Sequence, residues 1–432
     1  MNGAARAKAL VLALCVAACH ADRITTEDAP PITFAPHAWS GGILVLHSLA
    51  LQGAAELPTV MAGADTLAAR RFFGSDSVQV QLPDTNGPIA LFVRQGGGET
   101  RSVGSVRVHG FLRAGPGPSV DGSIYPWPGG ANPTALAFQD GRLVKLDLRS
   151  NSAAILLPDT GLGRGQCLRS GPRPSAASPG LIVISQTRGE CGPLIAVPLV
   201  AGIAAPDTGP PPFRWPAAHL GRGRWLLNSK YDFSIVTGSP SMGWVSGPPI
   251  PGSQPSGFAV SPRGDRVVPT GCSGYSDGVP VFDAAGPGLA YYLPQTTGGA
   301  AFSEQGDTLF VATTSATGYS ALLAVDATSG TVLARAPLHV DLAGVAGVAV
   351  DPRGPWVYVA GARGLPIVEV FDRASLAPVA TLRAPTALPG FDPYTAQYSD
   401  YVIVQSPVER RLFVALNGGA PTLYVLQFEL MP

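Results

Sequence analysis

Four segments in the second half of the chain repeat one pattern, in which a polar turn is followed by a short apolar strand. The segments begin at Ser261, Ser303, Asp351 and Ser406, so that their starts lie about 42, 48 and 55 residues apart. Internal periods of about 20–50 residues are typical of solenoids and propellers, and a four-stranded propeller blade takes about 40–45 residues. The repeat therefore predicts an all-β fold, a single β-propeller built from such blades.

Composition supports the same architecture. The 432 residues include 53 Gly and 43 Pro, which terminate many short strands, while 46% hydrophobic residues are enough for a core. Weaker copies of the pattern occur near residues 70–110, 135–160, 180–205 and 220–245. Together with the four clear copies they make about eight units. One of these can be split between the chain ends, so we expect seven blades, with eight as the alternative.

Closure of the ring requires a strand from early in the chain, because an unpaired first or last blade would expose its edge. Residues 401–430 offer about three strands, and Ile43–Leu49 is predicted to supply the fourth. The N- and C-terminal strands would then pair, and residues 39–432 would form one propeller domain. Gly115–Pro133 is interpreted as a loop between strands, and Ala62–Phe72 as a surface helix or a loop.

The N-terminus has the features of a bacterial export signal. Arg6 and Lys8 precede an apolar run at residues 9–17, which is too short to span a bilayer. The run ends in Val16-Ala17-Ala18-Cys19, which resembles the bacterial lipobox. The resemblance implies cleavage after Ala18 and a lipid, including palmitate-type acyl chains, on Cys19. An ordinary secretory signal, with Cys19 incidental, is the alternative.

The lipobox resemblance also implies a location in the bacterial cell envelope, lipid-anchored to the outer membrane or facing the periplasm. Residues 1–18 would be the lipoprotein signal peptide. Residues 19–38 are polar and contain prolines, so they are predicted to form a flexible tether to the membrane.

The clear repeats resemble a known family. Val357-Tyr-Val-Ala is followed by Ile367-Val-Glu-Val-Phe-Asp and Pro378-Val-Ala-Thr-Leu. This succession is similar to the YVTN-type repeat of bacterial surface and periplasmic β-propellers, and the likeness covers about residues 257–430. The resemblance implies a propeller at the cell surface or in the periplasm, and it carries over no catalytic residue.

Three cysteines remain in the exported chain besides Cys19, and an oxidising envelope would permit a disulfide. Cys167 and Cys191 flank a short apolar strand and are the candidate pair. Three free thiols, or a pairing that involves Cys272, are the alternatives, since spacing does not determine connectivity.

Charge and motifs exclude several functions. Lys+Arg and Asp+Glu are equal at 29 each, so the chain has no net field that would attract nucleic acid. The six histidines lack metal-ligand spacing, and we expect neither a metal site nor a cofactor. The G-x-S-x-G string at residues 274–278 precedes a strand-like run, whereas a nucleophile elbow requires a helix there. Arg263-Gly264-Asp265 lies in a repeat turn and is interpreted as turn chemistry.

The predicted function is therefore a non-catalytic binding or interaction module, anchored by lipid, with a protein or glycan ligand. The candidate binding loop is residues 384–401, in which Tyr394, Tyr398 and Tyr401 are the aromatic contacts. Two alternatives stay open. One is an enzyme of the propeller class, such as a lactonase, a lyase or a quinoprotein-like protein, and the other is a scaffold subunit of an envelope assembly complex.

Overall fold

The computed structural model describes most of the chain beyond residue 30. The described residues are 31–157, with gaps at 52–55, 72–75, 97, 127–132 and 141, and 173–432, with gaps at 175–180, 186–193, 199–216, 222, 229–231, 252–254, 256, 272–277, 285, 287, 295, 315–319, 339–346, 363–365, 386–399, 407 and 418–421. The expectation of an all-β fold is confirmed, since one 3-10 helix, Leu49–Leu51, accompanies 36 strands in this part of the chain.

The chain divides into two compact units. Unit 1 comprises residues 1–38, 43–83 and 87–108, and unit 2 comprises residues 39–42, 84–86 and 109–432. What the sequence suggested as one domain, residues 39–432, is thus divided between two units.

Unit 1 contains two antiparallel sheets that share one core. The core combines Leu44 and Val80 from one sheet with Val60, Leu91 and Val106 from the other. The strand orders are β1-β8-β7-β3-β4 and β2-β6-β5, with the strands β1 (His37–Trp39), β2 (Ile43–His47), β3 (Thr59–Ala62), β4 (Asp65–Leu67), β5 (Ala69–Arg71), β6 (Ser77–Gln81), β7 (Gly87–Arg94) and β8 (Thr100–His109). The last residues of β1 and β8, Trp39 and His109, belong to unit 2.

The described residues of unit 2 form seven antiparallel sheets, which we number in chain order. Sheets 1 to 6 are sheet 1, β10 (Asp121–Pro126), β11 (Thr134–Gln139), β12 (Arg142–Asp147) and β13 (Ser152–Leu157); sheet 2, β14 (Arg173–Pro174), β15 (Leu181–Ser185) and β16 (Leu194–Pro198); sheet 3, β17 (Ala217–Gly221), β18 (Arg224–Asn228), β19 (Asp232–Ser239), β20 (Gly243–Ser246) and β21 (Ile250–Pro251); sheet 4, β22 (Gly257–Val260), β23 (Arg266–Thr270), β24 (Val279–Asp283) and β25 (Leu289–Leu293); sheet 5, β26 (Thr296–Phe302), β27 (Thr308–Thr314), β28 (Ser320–Asp326) and β29 (Val332–Pro337); and sheet 6, β30 (Gly347–Val350), β31 (Trp356–Ala362), β32 (Pro366–Asp372) and β33 (Pro378–Arg383).

Sheet 7 combines strands from the two ends of unit 2. It contains β34 (Asp400–Ser406), β35 (Arg411–Asn417) and β36 (Thr422–Glu429), followed by β9 (Phe111–Ser119) as the fourth strand. The C-terminal strand β36 pairs antiparallel with β9, for example Leu426 with Ala114 and Thr422 with Ser119. A strand that precedes sheet 1 in the sequence therefore completes the last sheet.

Consecutive sheets pack against each other through shared apolar clusters. Such clusters join sheet 3 to sheet 4, sheet 4 to sheet 5, sheet 5 to sheet 6 and sheet 6 to sheet 7. A further cluster joins sheet 7 to sheet 1, where Phe413 and Val425 lie with Ile124, Ala137 and Val144. The first strands of neighbouring sheets also contact one another, namely β22 with β26, β26 with β30, β30 with β34 and β34 with β10.

Three sequence expectations about strand placement are wrong. Ile43–Leu49 does not supply the fourth strand of the last sheet, because Ile43–His47 pairs with Ser77–Gln81 in unit 1. Alternating apolar residues fit any half-buried strand, so the pattern could not identify the partner. Gly115–Pro133 is not one loop, since β9 and β10 occupy much of it. Proline is tolerated in β9 because β9 is the outer strand of its sheet.

The third correction concerns the predicted surface helix or loop at Ala62–Phe72. Its Ala-rich composition favours a helix, but β4 and β5 lie there. Gly63 adopts a φ of 62° in the turn between β3 and β4, and Leu67 packs into the core of unit 1. The tight turn and the burial of Leu67 therefore outweigh local helix propensity.

The turn chemistry of the repeat is confirmed. The serine that opens each of the first two clear copies donates its hydroxyl to an aspartate four residues later, Ser261 to Asp265 at 2.6 Å and Ser303 to Asp307. The backbone N–H groups of Asp265 and Arg266 donate back to Ser261 Oγ at 3.0 Å. Each turn links the first strand of its sheet to the second, as the repeat predicts.

Candidate functional site

Most residues singled out in the sequence for lipidation, disulfide formation and binding lie outside the described residues. These are Cys19, Cys167, Cys191, Tyr394 and Tyr398. Tyr401 lies in β34, where it pairs with Leu416 of β35. The lipid site, the disulfide and the aromatic binding loop therefore stay predictions.

Two motif-like strings have the structural roles that the sequence suggested. Residues 279–283, after the G-x-S-x-G string, form strand β24 rather than a helix. In the Arg-Gly-Asp string, Asp265 accepts the Ser261 hydroxyl and Arg263 Nε donates to the Gln305 carbonyl at 2.7 Å in the next sheet. Both charged side chains of the tripeptide are thus engaged inside unit 2.

The densest polar cluster of the described residues surrounds Asp351, in the turn between β30 and β31. Asp351 is completely buried. Its carboxylate accepts hydrogen bonds from Tyr358 Oη at 2.8 Å, from Gln405 Nε2 at 2.8 Å and from two nitrogens of Arg410 at 3.1 Å. The backbone N–H of Arg353 donates to it at 2.9 Å. Sheet 6 supplies the carboxylate and sheet 7 supplies Gln405 and Arg410, so the cluster joins two sheets.

Charge in the cluster is matched. Burial of Asp351 acts to raise its pKa, but the hydrogen bonds from Arg410, Arg353, Gln405 and Tyr358 outweigh burial, and the pKa of this carboxyl is lowered. Burial first, and the Asp351 charge second, raise the pKa of the Tyr358 phenol. Asp351 is therefore held ionised beside a neutral Tyr358, with Arg410 as its counter-ion.

This arrangement is suited to holding sheets together rather than to catalysis. A general base needs a free lone pair and a pKa near the working pH, whereas the Asp351 carboxylate accepts five hydrogen bonds and has a lowered pKa. Arg410 also donates to the Met431 carbonyl. The backbone of Arg410 has a left-handed φ of 49°, a conformation that costs free energy and persists only where contacts enforce it.

Other junctions between sheets use arginines that reach backbone carbonyls. Arg224 of sheet 3 donates to the carbonyls of Ala284 and Gly286, and Arg266 of sheet 4 donates to that of Ala327 in sheet 5. Arg113 of sheet 7 donates to that of Arg149 in sheet 1. Arginine is suited to this because its donors are fixed in one plane.

Aromatic residues reinforce two junctions. Tyr291 Oη donates to the Ala327 carbonyl at 3.3 Å, and burial raises the pKa of Tyr291 to about 12. Trp39 is buried edge-on against Trp356 and Tyr358, with ring centroids 5.9 Å and 6.5 Å away. Trp39 thus belongs to the apolar cluster between sheets 6 and 7.

Sequence reasoning did not identify the Asp351 cluster. The available signal was the substitution of Asp351 for the serine that opens the other repeat turns, together with Pro355 at the position of the turn aspartate. A carboxylate placed there loses its local partner and must find another. Gln405 and Arg410 lie more than fifty residues away, which no local pattern could indicate.

Within the described ranges, no group of three or more His, Cys, Asp and Glu side chains is placed to bind a metal ion. No helix among the described residues is long and apolar enough to cross a bilayer.

Comparison with known proteins gives one likeness. Neither a protein-family model nor a curated protein matches the chain. Among solved structures, the chain is similar to the β-propeller domain of Cps50 (Swd1) from Myceliophteria thermophila, at 13% identity and a TM-score of 0.47. The alignment covers 75% of this chain and 100% of that one. At this level, the likeness decides nothing about activity or partners.

Proposed function

We propose that unit 2 is a seven-bladed β-propeller and that it acts as a non-catalytic binding module of the bacterial cell envelope. Each of the seven sheets would be one blade, with its first strand nearest the central axis. The cluster that packs sheet 7 against sheet 1, with β9 as the outer strand of sheet 7, supports a closed ring. The resemblance of residues 257–430 to YVTN-type repeats supports the same architecture.

The observation that carries the binding function is the structural use of the polar residues. In the described part of unit 2, the buried carboxylate of Asp351 is saturated with hydrogen bonds, and arginines such as Arg224 and Arg266 donate to neighbouring sheets. A rigid scaffold of this kind presents its loops for recognition. Loop 384–401, with Tyr394, Tyr398 and Tyr401, is the proposed element, and a protein is the proposed ligand class. No specific observation favours the enzyme alternative.

Anchoring rests on Cys19. Cleavage after Ala18 and acylation of Cys19 would leave residues 19–38 as the tether. Several acyl chains, each contributing about 0.8 kcal/mol per buried CH₂, hold a protein on a bilayer permanently. The lipid would place unit 2 at the membrane surface, where it could retain a partner.

Fractionation tests the anchor. Cys19→Ala should move the protein from the membrane fraction to the soluble fraction and abolish incorporation of labelled palmitate. Cys15→Ala, in the segment that is removed, is the matched control and should leave both unchanged. Membrane retention of Cys19→Ala in full would contradict lipid anchoring.

Co-purification tests the binding module. Wild-type protein, cross-linked in cells and extracted in detergent, should be recovered with one partner protein in a constant ratio. Replacement of Tyr394, Tyr398 and Tyr401 by Ser should lower that ratio at least fivefold while the melting temperature stays unchanged. Recovery of the protein alone, under cross-linking that captures other envelope complexes, would refute the proposal.

A further inference from the structure

The outer edge of sheet 3 lacks the charges that normally protect a strand edge. Positions 233–262 contain no Asp, Glu, Lys, Arg or His. The edge strand β20 lies in this stretch, with β21 in line with it on the same side of β19. Natural proteins place charged residues, especially lysine, on exposed edges because an unpaired edge can add another strand. Here that protection is missing.

Apolar exposure is concentrated at the same edge. Met242, in the turn before β20, is 83% exposed, and Val245 within β20 is 73% exposed. These are the highest values among the large hydrophobic residues described. Isolated exposed apolar residues are normal, but two beside an uncharged strand edge form a surface that a partner can cover.

The backbone of β20 offers hydrogen bonds on its outer side. Gly247 N donates inward to the Ile235 carbonyl, and Thr237 is paired with Val245. Alternate residues of an antiparallel strand turn their N–H and C=O groups to the same side, so Trp244 and Ser246 turn theirs outward. No strand among the described residues pairs with this side of β20. Pro248 and Pro249 follow, and since proline has no N–H, the usable edge is about four residues long.

The chemistry of this edge distinguishes between occupants. Insertion into lipid would bury the outward N–H and C=O groups of Trp244 and Ser246 without partners, at a cost of several kcal/mol each. A second copy paired through four residues would bury far less than the roughly 1,000 Å² that a specific protein interface needs. An extended peptide segment satisfies the backbone groups and covers Met242 and Val245 at once.

We propose that the outer edge of β20 binds an extended, uncharged segment of a partner polypeptide, which adds to sheet 3 as a further strand. The segment would have apolar residues at alternate positions, since these meet the face that bears Val245. This inference deepens the proposed binding function and rests on it, and it adds a second contact surface to loop 384–401.

A synthetic peptide tests the edge directly. The probe is a fluorescent heptapeptide of alternating valine and threonine with glycine–serine ends, titrated into the purified protein and followed by anisotropy and by amide hydrogen exchange. We expect saturable binding and slowed exchange at Trp244 and Ser246. A matched peptide with every second amide N-methylated keeps its side chains but loses its donors on one edge, and should bind at least tenfold more weakly.

Variants locate the site. Val245→Lys places a charge on the edge without touching the core, and should weaken binding of the peptide at least tenfold. Val408→Lys, at an exposed position in the turn between β34 and β35, is the control and should bind as wild type does. Equal binding of the methylated peptide, or equal binding by Val245→Lys, would overturn strand addition.

Two further outcomes would also overturn it. One is absence of binding at millimolar peptide, and the other is Val245-dependent binding to phosphatidylcholine vesicles, which would identify a lipid surface instead. The readouts separate this inference from the function on which it rests. Failure of the peptide with intact co-purification rejects only the edge, whereas loss of co-purification and of lipidation rejects the binding module itself.

Discussion

Asp351→Asn should destabilise unit 2 by more than any other single polar substitution among its described residues. The change keeps the size of the side chain and removes its charge. Arg410, whose side chain is only 17% exposed, would then lose its counter-ion. The new amide N–H₂ would also face donors from Gln405 or Arg410, where the carboxylate accepted hydrogen bonds.

The expected magnitude follows from that loss. Removal of one partner of a buried ion pair costs about 3–5 kcal/mol. Arg410 keeps its hydrogen bonds to the Met431 carbonyl and some contact with water, so the lower end applies. We expect a loss of about 3 kcal/mol in the free energy of unfolding, which lowers the melting temperature of a unit this size by about 6–12 °C.

Urea denaturation at pH 7, followed by far-UV circular dichroism, measures the effect. Arg410→Met gives the second single variant, and Asp351→Leu with Arg410→Met gives the double variant. The double variant should cost less than the sum of the single changes, because it leaves no unpaired charge. A loss below 1 kcal/mol for Asp351→Asn, or additive single changes, would refute the assignment of Asp351 and Arg410 as the clamp between sheets 6 and 7.

The same cluster predicts a pH dependence with a definite sign. Because the pKa of Asp351 is lowered in the folded protein, its contribution to stability is complete above the ordinary Asp pKa of about 3.9. It is lost as the pH falls through the lower, folded pKa. The difference in stability between wild type and Asp351→Asn should therefore be constant from pH 5 to 7 and shrink below about pH 4. A difference that grows on acidification would contradict this sign.

Two further predictions concern the aromatic residues at the junctions. Trp39→Ala should lower the free energy of unfolding by about 3–5 kcal/mol, because it empties the space beside Trp356 and Tyr358; the exposed control Ile43→Ala should change it by less than about 0.5 kcal/mol, and equal effects in urea denaturation would contradict the role of Trp39. Tyr291→Phe should remove the one phenol that titrates near pH 12 in the ultraviolet spectrum and cost about 1 kcal/mol below pH 10, where the raised pKa leaves the hydroxyl of Tyr291 protonated and hydrogen-bonded. An unchanged spectrophotometric titration would reject that assignment.

Local pattern was sufficient for the repeating turns. Ser261 and Ser303 each reach an aspartate four residues later, so both partners are present in one short window of sequence. The alternation of apolar residues likewise predicted strands such as β31 and β35 without knowledge of their neighbours.

Partner choice could not be predicted in this way. Ile43–His47 has the alternation of a blade strand, yet it pairs in unit 1, while Phe111–Ser119, with two prolines, pairs with the C-terminal strand. Both facts depend on which edge is available in three dimensions. The candidate sites divide similarly, since the charge-free stretch at positions 233–262 is visible in the sequence, but only sheet order shows that it lies on an edge.

The sequence by itself determined that this chain is made of short strands, where each turn lies in the repeats, and that the terminus ending at Cys19 resembles an export and lipidation signal. Only the tertiary structure decided that the N-terminal strands form their own unit, that β9 completes sheet 7, and that Asp351 is neutralised by Arg410. The physical reason is range. Turns and strand alternation are set by neighbours in sequence, whereas strand pairing and the pairing of a buried charge depend on groups that only folding brings together.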